Sequence, residues 1–258
     1  MITGVMSASF GVGGAVISTP AIRLLGASAF VAVGTTLPSI LPSAVSGTAR
    51  YAREHLVDWQ IVRWAAPVGV ATSVLGSLLS HVVPGHGHWL MIMTAALLGV
   101  TAWRMRRPPS RPAFVAAQAE TEAAVAGDRH GGFHRTPLAL AGVGAVAGTL
   151  SGLLGVGGGV VMVPGFNQFV GLRLKETIAT SLVCVGILAI PGTVTHALLG
   201  DIDWRFALLL AVGVIPGARL GAVAAIRADR QRLRMAVALF LGVVAVVYAA
   251  GEVSALAR

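Results

Sequence analysis

Seven glycines in two short runs are the residues of this chain with the clearest chemical potential. Ser7-Ala8-Ser9-Phe10-Gly11-Val12-Gly13-Gly14-Ala15, closed by Thr19-Pro20, returns 144 residues later as Ser151-Gly152-Leu153-Leu154-Gly155-Val156-Gly157-Gly158-Gly159, closed by Val163-Pro164. Gly11, Gly13 and Gly14, with Gly155, Gly157, Gly158 and Gly159, permit positive φ and let backbone amides reach a ligand with no side chain in the way. A helix that starts at such a break presents free N–H groups and the positive end of its dipole, a ready anion site. Pro20 and Pro164 lack an N–H and are expected to end the hydrogen bonding and fix the exit angle. Close helix packing is the competing role for any membrane glycine. It is the role assigned to Gly142, Gly144, Gly148, Gly217 and Gly221.

The other polar groups inside apolar runs are few. Thr35-Thr36 and Thr180-Ser181 occupy matching positions 145 residues apart. Their hydroxyls either donate to an oxoanion or bond back to the preceding turn. Asn167 and Gln168 follow Pro164 and are expected at the same cavity, although Arg23 and Leu24 stand at the matching first-half positions. Arg219 is the one charge well inside an apolar run. It either grips an anion with its planar fork or snorkels to the interface near Arg227. All ten Asp and Glu residues lie in loops or at segment ends, so no buried carboxylate is expected for a proton relay. His196, the lone histidine within a span, is expected at an interface, with a coupling role as the alternative. His81, His86 and His88 suggest a solvated loop rather than a metal site. Cys184 is the single cysteine, which excludes a disulfide framework and a cysteine metal cluster. Dinucleotide and P-loop readings fail: Val160 stands where the last glycine is needed, and Lys175, the only lysine, follows no Gly-Lys-Ser/Thr pattern. No metal and no cofactor is expected.

The elements that hold these groups are membrane helices. The 258 residues are 55% hydrophobic and 11% charged, with a mean hydropathy of +0.81. Soluble domains are about one quarter charged. The net charge of +9 comes from arginines in short loops between apolar runs, which excludes nucleic acid as the partner and marks topology instead. Runs at 30–49, 60–82, 88–104, 176–199, 205–226 and 233–251 are each about long enough to span a bilayer. No cleavable leader is evident before Arg23.

Segments 1–28 and 137–172 carry the glycine motifs, each expected to form two short helices meeting at a break, the second over Gly152–Gly159. The Pro-containing stretch 105–136 links the halves. Arg50–Arg63 is cation-rich where the matching Asp201 loop is acidic. Arg227–Arg234 is cation-rich where the matching His81–His88 loop is not. Opposite bias at matching loops is what inverted repeats predict. The expected fold is therefore an all-α integral membrane protein of two homologous halves, 1–104 and 137–258, each a broken or re-entrant Gly-rich helix plus three transmembrane helices. The linker 105–136 then lies in the cytoplasm. Eight simple spans in parallel repeats are the rival, which would place Arg227–Arg234 outside.

Both motif copies, Gly155-Val156-Gly157-Gly158-Gly159 with Val163-Pro164 and Gly11-Val12-Gly13-Gly14-Ala15 with Thr19-Pro20, resemble the TauE/SafE sulfite exporter family of membrane transporters. The resemblance covers nearly the whole chain and implies passage of small sulfur or carbon oxoanions, such as sulfite, sulfonates or sulfoacetate, across the bacterial inner membrane. In one departure, ten residues precede Gly11 whereas Pro137 stands eighteen before Gly155. The first half-helix is short, or the true start lies upstream. The expected partners are a small anion and the lipid bilayer, with a homo-oligomer left open. The rivals are a permease for an uncharged solute or a metal ion, and an intramembrane enzyme. The enzyme would need a buried nucleophile and base that the sequence does not supply.

Overall fold

The computed structural model describes residues 1–80, 88–106, 137–154 and 157–256, and over these it is helical throughout. The first half contains α1 (Ile2–Phe10), α2 (Ala15–Leu24), α3 (Ala29–Arg53), α4 (Trp59–Ser80) and α5 (His88–Arg106). The second contains α6 (Pro137–Leu154), α7 (Gly159–Phe169), α8 (Leu174–Leu198), α9 (Trp204–Arg227) and α10 (Arg230–Leu256). Among the described residues, five helices are long and apolar enough to cross a membrane: α3, α4, α8, α9 and α10. The expected span at 88–104 falls on α5, whose residues 92–103 are apolar. Leu75 and Leu78 of α4, Leu208 and Leu209 of α9, and Leu239 and Val246 of α10 point outward. Such an apolar exterior suits lipid and not water.

Glycine interfaces set how the helices pair. A methyl at Gly144 would lie 2.2 Å from the Ala65 carbonyl oxygen, and one at Gly148 would lie 2.1 Å from that of Gly69. Gly152 meets Ser73 in the same way, so α6 and α4 run parallel in backbone contact. In the mirror arrangement, Gly217 and Gly221 of α9 meet Met1 and Val5 of α1. Thus the first helix of each half packs on the fourth of the other. Gly144, Gly148, Gly217 and Gly221 have the packing role expected of them, but Gly142 has nothing within 4 Å among the described residues.

The long helices α3 and α8 cross at the centre in opposite directions. Leu37 meets Gly192, Ala44 meets Gly186, and Leu182 meets Gly47. Two hydrogen bonds then fix the ends: the Asp58 N–H donates to Thr180 Oγ1 (3.0 Å), and the Asp203 N–H to Thr35 Oγ1 (2.9 Å). The start of α4 therefore sits beside the start of α8, and the start of α9 beside that of α3. One end of the bundle gathers Arg50, Arg53, Arg63, Arg173, Lys175, Arg227, Arg232 and Arg234, with Lys175 Nζ donating to the Ile226 carbonyl. At the other end lie Arg23, Asp201, Asp203 and Arg205.

Two sequence expectations are corrected here. The second break is narrower than Gly152–Gly159, because α6 continues through Gly152 to Leu154 and Gly152 packs on α4. Neither Pro20 nor Pro164 ends a helix: α2 runs on to Leu24 and α7 to Phe169. Membrane helices tolerate internal proline where neighbours satisfy the freed carbonyl, and Pro38, Pro42, Pro67, Pro191 and Pro216 are likewise internal.

Candidate functional site

Left-handed glycines make both breaks. Gly11 (φ 66) closes α1, its N–H donating to the Ser7 carbonyl, and Gly13 (φ 84) follows. Gly157 (φ 83) and Gly158 (φ 69) lead into α7. Side chains other than glycine rarely adopt this region. Gly14 is the exception, with ordinary right-handed φ and ψ at the start of α2. Gly155 lies outside the described residues.

The breaks touch one another. A methyl on Gly159 would fall 2.4 Å from the Gly11 carbonyl oxygen and 2.6 Å from Val12 Cα. Gly157 is bounded by Val185 of α8, Ile40 of α3 and the Val12 carbonyl. Both side chains come from near the middle of their long helices, so the contact lies at mid-depth.

Side chains cap five of the other helix starts. Ser28 accepts from the Val31 N–H for α3, and Asp58 from the Gln60 and Ile61 N–H groups for α4. Asp203 serves α9 and Asp229 serves α10, while Glu176 reaches back to the Arg173 N–H at the start of α8. The starts of α2 and α7 have glycine at the cap and no side-chain bond. First-turn N–H groups lack the usual partner within their own helix. Here the Ile17 N–H donates to the Gly14 carbonyl, Gly159 to Gly157 and Val161 to Gly158, so among the described residues the donors left for a ligand are those of Ala15, Val16 and Val160.

Hydroxyls surround the junction. Ser181 Oγ donates to the Gly11 carbonyl (3.0 Å), and Thr36 Oγ1 meets Thr19 Oγ1 at 3.1 Å. Both also bond back three residues, to Ile178 and Val33. Thr35 and Thr180, their neighbours in sequence, instead hold the starts of α9 and α4, so the structure brings only one hydroxyl of each pair to the breaks.

Ser7 and Ser151 open the two motif copies and were not singled out from sequence, although their matching positions were a usable signal. Ser43 Oγ donates to Ser7 Oγ at 2.8 Å. The position of α8 that matches Ser43, 145 residues on, is Leu188. Ser151 is 1% exposed, its Oγ has no hydrogen-bond partner among the described residues, and its Cβ lies beside Gly158. A buried hydroxyl left without a partner costs about 1–3 kcal/mol. It points to a ligand group at the start of α7.

Other expected residues are not brought to this junction. Arg219 is exposed on the outer face of α9, between Ile215 and Leu220, which are exposed too. Asn167 Nδ2 donates to the Leu172 carbonyl and closes the turn after α7. Gln168 lies in α7, and its side chain is outside the described residues, as are His81 and His86. A cleft of about 290 Å³ opens at the cation-rich end, lined by His55, Leu56, Val57, Asp58, Trp59, Leu172 and Glu176. Its two carboxylates cap α4 and α8. Among the described residues no group of three His, Cys, Asp or Glu is placed to hold a metal ion.

A helical bundle with an apolar exterior and two backbone breaks meeting at mid-depth has the architecture of a membrane transporter. Residues 1–248 match the sulfite exporter TauE/SafE family, and the chain belongs to that family. It is 26% identical to the probable membrane transporter protein YunE of Bacillus subtilis (strain 168) over 234 residues, covering 86% of this chain and 84% of that one. A probable membrane transporter protein of Xylella fastidiosa (strain 9a5c) is 26% identical over 219 residues, covering 84% and 78%. The probable membrane transporter protein MamO of Paramagnetospirillum magneticum is 29% identical over 199 residues, 69% of this chain but 31% of MamO. No solved structure matches. The protein is accordingly a membrane transporter and not an enzyme.

Proposed function

We propose that the protein carries small oxoanions, of the sulfite and sulfonate class, across the bacterial inner membrane by alternating access around the two glycine breaks. The observation that carries this reading is the start of α7: glycine-capped, at mid-depth, and adjacent to the buried Ser151 hydroxyl, which has no partner among the described residues. N–H donors, a positive helix end and a hydroxyl together suit an oxoanion. The proposed site comprises Gly157, Gly158, Gly159 and Ser151 from one break, Gly11, Gly13 and Gly14 from the other, and Ser181 and Thr36 from the central helices. The sulfur oxoanion class follows the family's description.

The proposed architecture is a pair of inverted repeats, 1–104 and 137–258, joined by the linker 105–136. Supporting it, the matching helices α3 and α8 run in opposite directions, as do α4 and α9. The proposed orientation puts the cation-rich end, and with it the linker, in the cytoplasm, by the excess of Lys and Arg in cytoplasmic loops. Counterflow into proteoliposomes with labelled sulfite, sulfonates, carboxylates and cations tests the function. Exchange of sulfur oxoanions alone is expected; exchange of cations or neutral solutes in their place would overturn it.

A further inference from the structure

The chain has two tyrosines, and both are buried. Tyr51, in α3, donates its hydroxyl to the Ala8 carbonyl at 2.7 Å. Tyr248, in α10, is 4% exposed, and its hydroxyl has no hydrogen-bond partner among the described residues. A buried phenol usually finds a partner, because its hydroxyl has given up water. This hydroxyl lies close to Thr19 of α2, short of hydrogen-bonding geometry with it. Thr19 Oγ1 meets Thr36 Oγ1 of α3 at 3.1 Å, and both side chains are fully buried. Because Thr36 also donates to the Val33 carbonyl (2.9 Å), Thr19 is the donor in that contact. Tyr248 therefore holds the one uncommitted proton of the three hydroxyls.

The cluster adjoins the first break. Thr36 lines the proposed anion site. Thr19 follows Ala15 by four residues, so it stands about 6 Å along α2 from the glycine-capped start. From there α2 runs on toward Arg23 at the cation-poor end. The second half is built differently. Val163 stands 144 residues after Thr19, and Trp103, which is exposed, stands 145 residues before Tyr248. The hydroxyl that matches Thr36, on Ser181, turns to the Gly11 carbonyl instead. Val163 is 1% exposed, so the fold accepts valine at this place and does not require a hydroxyl cluster.

We propose that Tyr248 is an anion-binding residue, its phenol donating to the oxoanion on the cation-poor side of the first break, beside Thr19 and Thr36. The proposal rests on the anion reading and adds a donor to it. An oxoanion drawn to the start of α2 by the Ala15 and Val16 N–H groups meets the Tyr248 hydroxyl as its next donor toward that end. The bond is charge-assisted through the acceptor, and a neutral donor leaves no cation behind when the anion departs. The two halves thus bind unequally: Ser151 acts at the start of α7, and Tyr248 beside α2.

Tyr248→Phe removes the hydroxyl and keeps the ring. In proteoliposomes, counterflow of labelled ethanesulfonate should show an apparent KM raised about tenfold or more, the loss of one hydrogen bond to a charged group. The stability of the variant in a denaturant titration should equal or exceed that of wild type, because no bond to the protein is lost. Tyr51→Phe is the contrast. It breaks the bond to Ala8, so stability should fall while the KM stays within about twofold. An unchanged KM in Tyr248→Phe, or a raised KM accompanied by lost stability, would overturn the assignment.

A second measurement separates the site from the cargo. With tyrosine labelled at Cζ, the protein in nanodiscs gives two NMR signals, assigned by Tyr248→Phe. Ethanesulfonate, sulfite, sulfate and acetate are then added in turn. The Tyr248 signal should move with the anion that counterflows and the Tyr51 signal should stay. If wild type exchanges acetate and no sulfur oxoanion, the sulfur reading fails, and a Tyr248 shift on acetate still supports the site. A Tyr248 signal unmoved by the exchanged anion, or by all four, would overturn the proposal.

Discussion

Alanine at Gly159 tests whether the two breaks must touch. Its added methyl would meet the Gly11 carbonyl oxygen at 2.4 Å, Val12 Cα at 2.6 Å and the Val12 carbonyl carbon at 2.8 Å. All three neighbours are backbone, so no rotamer change relieves the overlap and one break must be displaced from the other. Overpacking of this kind costs roughly 1–3 kcal/mol, and a backbone clash belongs near the upper figure. If the strain falls on one of the alternating states, about 3 kcal/mol reduces its population roughly a hundredfold, at 1.4 kcal/mol per tenfold. Gly142→Ala is the control, since nothing lies within 4 Å of its methyl. Counterflow at equal amounts of monodisperse protein should fall by about two orders of magnitude in Gly159→Ala and stay near wild type in Gly142→Ala. Equal rates in the two variants would refute the idea that the meeting of the breaks sets transport.

The remaining predictions concern orientation, affinity and stability. In a Cys184→Ala background, cysteines placed at Arg230 and at Ala117 are both expected to resist an impermeant reagent applied from the periplasm; labelling of Arg230 alone would break the inverted arrangement. Arg219→Gln should leave the apparent KM for a transported oxoanion within about twofold, because the side chain sits on the outer face of α9; a tenfold rise would bring it into the site. Thr180→Val removes the hydroxyl that accepts from the Asp58 N–H and should cost about 1–3 kcal/mol of stability in a denaturant titration. Thr35→Val, at the bond to Asp203, should do the same.

The amino-acid sequence by itself determined the large-scale answer. Duplicated glycine motifs, a hydrophobic content too high for a water-facing surface, and arginines gathered mostly in particular loops point to a membrane transporter. These signals are legible because they depend on residue type and spacing along the chain, and a bilayer acts on both directly. Which polar groups meet at the centre was decided only by tertiary structure.

Thr35 and Thr36 are adjacent in sequence but about 100° apart around α3. One therefore ties down the start of α9 while the other reaches Thr19 at the break. Ser7 gains Ser43 of α3 as a hydrogen-bond partner, whereas the position of α8 that matches Ser43 is Leu188 and has no hydroxyl to offer. The inward or outward face of Arg219 depends on how α9 is rotated against α1, which Gly217 and Gly221 set through backbone contact with Met1 and Val5. His196 meets the Asp201 carboxylate through a left-handed turn at Gly200 that folds the chain back on the end of α8.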